Sequence, residues 1–526
     1  MKALDSLTLQ YFYKENFDFI QGSVVQKIQL PSRYEVILNI RNINKSQNKK
    51  LYININPKYP HVCFIDENSA NLRDIKIPKN PPMFCMQLRK YLSGSKIKDF
   101  RVVEYERILE IYFDYFDEIG SLTSICLAVE LMGKHSNIIL YNVQNKTIIG
   151  AMHNISADKS SVREIYGGIK YFYPPQKQKL DILKTSFSTF SEIAKDLDIK
   201  KIADNFYYFN QALVEKLTDE NNDKLVLFNK MQELQSLKNI DFIISFWKEE
   251  ENINLAIDNY FSGFIFDEIL KTKKAELKKY LNKDLKKTQK ALFVEPNEKK
   301  QENYKLFGDL IMSYLYEIKE GQKEFKKDDF VIELDENKTP TQNAQKYYQM
   351  YKKAKTAFEI EQERYRKAKE KKEYYESIIF NIENASDFEI LEEIKEELNS
   401  IGLISQKMDK KNQVKVEKIE FKGWEIYIGK NNKQNDFLIS KIATGEDLWF
   451  HGQNYPSSHI ILKIPNNKKE PTKEILEFCA KLTKENSKAR DGGKASVIMT
   501  KRKNLKKPPN TYLGYVTYKN EIEIVI

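Results

Sequence analysis

The strongest constraint on the fold is a run of apolar residues threaded through a highly charged stretch: Tyr347, Tyr351, Ala354, Phe358, Tyr365, Ala368, Tyr375 and Ile379. Their gaps are 4, 3, 4, 7, 3, 7 and 4, a heptad seam along one helix with Glu361 and Lys372 at the skipped positions. The faces between are dense in Lys and Glu, too charged to be buried on two sides. A shorter run, Leu270, Leu277, Leu281, Leu285 and Leu292, keeps helical spacing within residues 264–292. Two such helices, separated by about 50 residues, predict an antiparallel coiled-coil arm with a small domain at its tip. At 1.5 Å per residue the second helix alone reaches roughly 60 Å.

The chain has 526 residues, too many for one apolar core, so several domains are expected. Residues 1–175 mix alternating strands, such as Tyr34-Glu35-Val36-Ile37-Leu38-Asn39-Ile40, with short helices; Pro174-Pro175 closes them. Residues 176–262 read as helices with short polar breaks, and 263–408 as the arm with its middle domain. Residues 409–526 return to strands, with a helix from Lys473 to Lys488. The fold class is α+β, multi-domain.

The net charge is +11, unevenly placed: residues 411–526 hold 22 Lys/Arg against 13 Asp/Glu, a net +9. A localised basic module is the footprint of a polyanion binder. Cys63, Cys85, Cys126 and Cys479 lack C-x-x-C spacing and fit a reducing compartment. The N-terminus reaches Lys14, Glu15 and Asp18 without an apolar segment, and no run approaches the roughly 20 residues of a membrane helix. The expectation is a cytoplasmic protein with no membrane partner.

Three clusters carry candidate chemistry. Glu104-Tyr105-Glu106-Arg107 enters a strand, where an acid orients a cation for a phosphate or base edge; a surface ion pair of little worth is the stronger reading from these residues alone. In Glu130-Leu131-Met132-Gly133-Lys134-His135-Ser136-Asn137, a glycine, a cation, an imidazole, a hydroxyl and an amide precede an apolar strand. Such a loop either cradles phosphate or is simply a polar turn; Ala128 stands where a P-loop needs its first glycine. The third cluster is the amide run Asn431-Asn432-Lys433-Gln434-Asn435-Asp436, with Lys430 before it, then Trp449, His451 and His459, then Lys501-Arg502-Lys503 and Lys506-Lys507-Pro508. Amides do not titrate near neutrality but bond phosphates, sugars and base edges, while Trp and His offer flat faces for stacking. This set points to RNA first.

Motifs for nucleophilic or metal chemistry are missing: there is no G-x-S-x-G, no H-E-x-x-H, and the five histidines lack ligand spacing. No catalytic residue, metal or cofactor is expected.

Together these blocks resemble the NFACT family. The resemblance rests on Phe84-Cys85-Met86-Gln87-Leu88-Arg89-Lys90-Tyr91-Leu92, on Met132-Gly133-Lys134-His135-Ser136-Asn137, and on Arg163 before Gly167. It continues through Gly308-Asp309-Leu310, Glu333-Leu334-Asp335, residues 340–355, Gly429-Lys430-Asn431-Asn432 and Asp447-Leu448-Trp449-Phe450-His451. The resemblance implies a glycosylase-like, β-rich N-terminal domain, a helix-hairpin-helix module, the coiled-coil arm, and a compact α/β RNA-binding domain at the end. It implies ribosome-associated quality control: binding a large ribosomal subunit (rRNA and the stalk-base region) that still carries peptidyl-tRNA, recruiting alanyl-tRNA, and supporting template-free alanine tailing without being an enzyme. It places tRNA contacts on Asp5, Glu106 and Arg107, and RNA or ribosome contacts on Lys134, His135, Asn137, Lys430, Asn431, Asn432, Asn435, Asp436, Trp449, His451, His459, Lys506 and Lys507. Departures are Glu106 where the family has Asp, Lys430 where it has Arg, and a missing hairpin glycine around residues 205–216. Glycosylase chemistry needs an N-terminal proline, and the chain begins Met1-Lys2-Ala3. The rival readings are a fibronectin-binding surface adhesin and a nucleic-acid-processing enzyme on a glycosylase-like fold.

Overall fold

Short polar breaks between apolar stretches supply the side-chain N-caps of many of the described helices and set where those helices start. The computed structural model describes every residue except 1, 117–119, 121, 159, 196, 219–222, 294, 328, 406–413, 466–469 and 510. The chain forms two units, Met1–Ile269 and Leu270–Ile526. The expected boundary at 408/409 lies outside the described residues.

In the first unit α1 (Ser6–Ile20) begins where the Asp5 carboxylate accepts from the backbone N–H of Thr8. Four strands then run in sequence as an antiparallel sheet: β1 (Val24–Gln29), β2 (Glu35–Asn42), β3 (Gln47–Asn54) and β4 (His61–Ile65). After α2 (Glu67–Leu72) and α3 (Met83–Leu92) comes a five-stranded antiparallel meander. It comprises β5 (Ile97–Val102), β6 (Ile108–Phe116), β7 (Leu122–Glu130), β8 (Asn137–Asn142) and β9 (Ile148–Ala151). The helices α4 (Phe187–Ile193), α5 (Ile199–Asn205), α6 (Gln211–Leu217), α7 (Lys224–Gln235) and α8 (Ile240–Trp247) are capped by Ser186, Asp198, Asn210, Asp223 and Asn239 respectively. One apolar core joins sheets and helices, with Phe12, Ile53, Leu127, Phe206 and Trp247 in a single cluster. A buried Arg73–Asp258 ion pair at 2.7 Å adds a charged tie to the long helix α9 (Ile253–Ala291). Burying two charges is tolerated there because Asp258 also accepts from Ser69.

In the second unit α10 (Lys299–Ser313) leads to a hairpin, β10 (Glu324–Lys327) and β11 (Phe330–Glu333). The 45-residue α11 (Pro340–Asn384) starts at a capping box, Thr339 with Gln342, and has Pro340 in its first turn. α12 (Phe388–Ser400) follows. Contacts between α9 and α11 run antiparallel: Lys278 pairs with Glu383 at 2.6 Å and Asp284 with Lys371 at 2.6 Å; past the end of α9, Tyr365 donates to Glu295 at 3.2 Å. The apolar seam is buried only at its ends. Leu277 and Leu281 pack with Tyr374, Tyr375, Ile378 and Ile382, while Tyr347 packs with Ile311, Phe325 and Ile332. Between them Ala354, Phe358, Tyr365 and Ala368 are half-buried, as expected where the middle of a helix lacks a third element to cover it.

A six-stranded antiparallel sheet closes the chain: β12 (Glu417–Phe421), β13 (Trp424–Ile428), β14 (Leu448–Gly452), β15 (Ile460–Leu462), β16 (Ser496–Lys501) and β17 (Ile522–Val525). Their spatial order is β12-β13-β15-β14-β16-β17, with α13 (Asn432–Phe437) and α14 (Lys473–Glu485) between strands.

Candidate nucleic-acid interface

The first site is a turn at residues 104–107, just ahead of β6. Arg107 is half-buried, and its guanidinium donates to the Leu4 carbonyl at 3.4 Å. Burial lowers its pKa, and the charges of Asp5 and then Glu106 oppose that shift. Asp5 is buried and accepts from the Thr8 N–H at 2.6 Å, the Thr8 hydroxyl at 3.0 Å and Asn210 at 3.4 Å. Burial pushes its carboxyl up to about 6, against the Thr8 bonds and the Arg107 charge. Glu106, half-buried, is raised by burial too, with Arg107 opposing. The structure thus brings Asp5, Glu106 and Arg107 together. Of the three, Asp5 faces inward and acts on Arg107, and Arg107 and Glu106 remain partly open to a ligand. Neither a span of sequence nor a local pattern links Asp5 to Arg107; their meeting depends on α1 crossing the strand end.

The second site, residues 130–137, divides. Lys134 and His135 lie exposed on a single 3-10 turn. Asn137 is fully buried, and its amide is used internally: it donates to the His153 carbonyl at 2.8 Å and accepts from the His153 N–H at 3.0 Å. Glu130 is also buried and takes both arms of Arg163, at 2.8 and 2.5 Å. The RNA contact expected of Asn137 is therefore corrected: Asn137 is an internal lock beneath an exposed Lys134-His135 turn.

The third site departs most from the sequence expectation. Asn431, Asn432, Gln434 and Asn435 are all buried. Asn431 caps α13 and donates to Glu393 at 2.6 Å. Asn432 donates to Ser377 at 3.1 Å and Glu397 at 3.0 Å, and accepts from Asn381 at 3.2 Å. Asn435 accepts from the His459 N–H at 3.1 Å, so close to Gly429 that a Cβ there would sit 2.2 Å from its oxygen. The expected RNA-facing amide surface is instead an internal hub holding α13 against α11 and α12. Trp449 is 1% exposed, packed with Leu438, Ile461 and Ile498, which corrects its reading as a stacking platform. The cause is tertiary: β14 is an inner strand, and the face that carries Trp449 is covered by Leu438, Ile439 and Leu505. His459 is buried and His451 lies beside it; burial holds His451 at about 4 and His459 well below the usual histidine range, so both are neutral at physiological pH. Neither can present a cation to phosphate.

The surface of this domain carries a set of lysines beside the exposed Tyr515, Tyr518, Ile522 and Val525. Lys506 and Lys507 are exposed, Lys507 in an ion pair with Asp436. Lys501 and Lys503 share Glu446, each at 2.8 Å. Lys430 pairs with Glu417 at 2.8 Å. These are surface pairs of small worth, which a phosphate can displace. Among the described residues no cluster of three or more His, Cys, Asp or Glu could hold a metal ion. No described helix is long and apolar enough to cross a membrane.

Residues 5–249 and 200–417 match the NFACT N-terminal and middle domains, and residues 417–520 match the NFACT protein RNA binding domain. The chain belongs to the NFACT family. It is similar to the Rqc2 homolog RqcH of Bacillus subtilis (strain 168), 29% identical over 96% of this chain and 95% of that protein. It is likewise similar to the Rqc2 homolog RqcH of Streptococcus suis (strain 05ZYH33), 29% identical over 99% of this chain and 97% of that protein. Among solved structures, the N-terminal part of the fibronectin/fibrinogen-binding protein from Streptococcus suis is 30% identical, covering 44% of this chain and 84% of that one, with a TM-score of 0.38.

Proposed function

We propose that this chain works in ribosome-associated quality control, holding tRNA on a large ribosomal subunit that still carries an obstructed nascent chain as peptidyl-tRNA. The observation that carries the reading is the extent of the likeness: proteins named Rqc2 homolog RqcH align over nearly the whole chain, which ends in an NFACT RNA binding domain. In this reading the protein recruits alanyl-tRNA and supports template-free alanine tailing in the cytoplasm. Peptide-bond formation stays with the ribosome, so the chain is not itself an enzyme. The division into 1–175, 176–262, 263–408 and 409–526 assigns the work: Arg107 with Glu106 meets tRNA, and Asp5 holds Arg107 from behind. The paired long helices serve as a coiled-coil arm over rRNA and the stalk base. Lys134, His135, Lys506 and Lys507 meet RNA phosphates.

The partly open guanidinium of Arg107, held by a buried acid, supports this assignment because Arg keeps its charge and presents a planar fork to phosphate or a base edge. Arg107→Ala is expected to abolish tail synthesis while the variant still co-sediments with the large subunit. Unchanged tail synthesis, or loss of co-sedimentation, would contradict the assignment.

A further inference from the structure

Beside Arg107 stands an aromatic group that the proposed function does not use. Tyr105, in the turn itself, has φ +65, and Tyr208, between α5 and α6, has φ +70. Bulky L-residues avoid this left-handed region, and those held in it gather at functional sites. Tyr207 and Tyr208 lie in the 205–216 stretch that lacks the expected hairpin glycine. The holding groups are explicit. The Tyr105 N–H donates to the Tyr208 hydroxyl at 3.1 Å, the Tyr105 hydroxyl donates to Asp181 at 2.9 Å, and the Tyr207 hydroxyl donates to the Lys177 carbonyl at 3.2 Å.

The rings of Tyr105 and Tyr207 stack with centroids 4.2 Å apart and planes at 21°, and Tyr208 lies 5.3 Å from Tyr105. All three rings are half-buried rather than sealed. Their hydroxyl edges are tethered, so the faces are fixed in place. Charges of both signs meet the Tyr105 hydroxyl: Lys184 donates to it at 3.5 Å and pairs with Asp181 at 3.4 Å, and Glu104 lies beside it. The feature this corner adds to the Arg107 turn is flat aromatic surface.

Resting on the tRNA reading of the Arg107 turn, we infer that the Tyr105–Tyr207 pair is a stacking platform for an unpaired RNA base. An aromatic face accepts any base that is free of its own stack, whereas the bases of a duplex are already stacked and paired. This corner therefore favours single-stranded nucleotides over double-stranded RNA. Tyr105 and Tyr207 cover one face of each other, so the face left for a base is the one Tyr207 turns away from Tyr105; if the rings served only to clip the 104–107 turn, losing the stack would weaken single-stranded and duplex RNA alike.

The test uses the full chain with two probes: a single-stranded oligoribonucleotide carrying 5-iodouridine, and an RNA hairpin duplex with the same number of phosphates. Irradiation is expected to cross-link the single strand to the peptide holding Tyr105 or Tyr207. Tyr207→Phe keeps the ring and is expected to bind within about two-fold of the parent. Tyr207→Leu removes the face and loses about ten-fold in single-strand affinity, with duplex affinity and salt dependence unchanged. Tyr105→Asn, which suits left-handed backbone and so keeps the turn, is expected to show the same selective loss. Cross-links absent from both peptides, Leu and Asn variants as tight as the parent, or single-strand and duplex binding falling together each overturn the platform. A parent chain that captures no RNA overturns the tRNA reading as well; a parent that binds RNA while the tyrosine variants bind unchanged overturns the platform alone.

Discussion

Two polar clusters of this protein, the Arg107 turn and the Asn431–Asn435 run, carry similar promise as residue lists and differ completely in the fold. At the turn a buried acid, Asp5, backs a cation that stays partly open. In the amide run every member turns inward, and Asn432 alone bridges Ser377, Asn381 and Glu397. Polar composition states which bonds a segment can make. Whether they are made to solvent, to a ligand or to the protein's own interior depends on what packs over the segment.

The comparison breaks most sharply at Asn432. Asn432→Ala removes three internal bonds and leaves the buried Glu397 with Tyr374 as its remaining partner, so a loss of about 3 kcal/mol is expected in chemical denaturation of the second unit. A variant as stable as the parent but weaker for RNA would return Asn432 to the surface role first expected of it.

Glu397 sharpens the comparison next. It is 2% exposed, and burial pushes it up to about 7 against the bonds from Tyr374 and Asn432. Its pKa is raised on folding, so its contribution to stability is full below about 4.5 and is lost as pH rises through about 7. Glu397→Gln cannot ionise and still accepts from Tyr374 and Asn432. It is expected to be more stable than the parent by about 2 kcal/mol at pH 8, with the advantage shrinking toward pH 4.5, read as the difference between two stability-versus-pH curves. Parallel curves would show that Glu397 is not the titrating group.

The smallest effect belongs to Asp5. Asn caps a helix about as well as Asp, so Asp5→Asn is expected to change stability by less than about 1 kcal/mol. Its cost should appear in tRNA capture, smaller than that of Arg107→Ala, because the substitution loosens a contact residue without removing it. Loss of folding in Asp5→Asn would make the acid structural alone.

Much of the architecture was legible from the chain. The helix expected from Lys473 to Lys488 is α14, and the long apolar seam falls within α11. Both follow from local periodicity and caps, which act over a few residues. The burial of Trp449 was not legible, because it follows from Leu438, Ile439 and Leu505, residues apart from it in sequence, packing over its face of the sheet. The tyrosine group was not legible: Tyr207 and Tyr208 lie in the stretch that lacks the expected hairpin glycine, yet nothing local foretells that Tyr105 stacks there.

The sequence by itself determined the helices and strands, their caps, the uneven charge and the family, because each is written in spacing or in short motifs. Only the tertiary structure decided which polar groups face out. That decision is made by contacts between distant segments: Asp5 against Arg107, Asn432 against Glu397, Tyr105 against Tyr207. A buried polar group is tolerated only where such a distant partner satisfies it, and no local pattern names the partner.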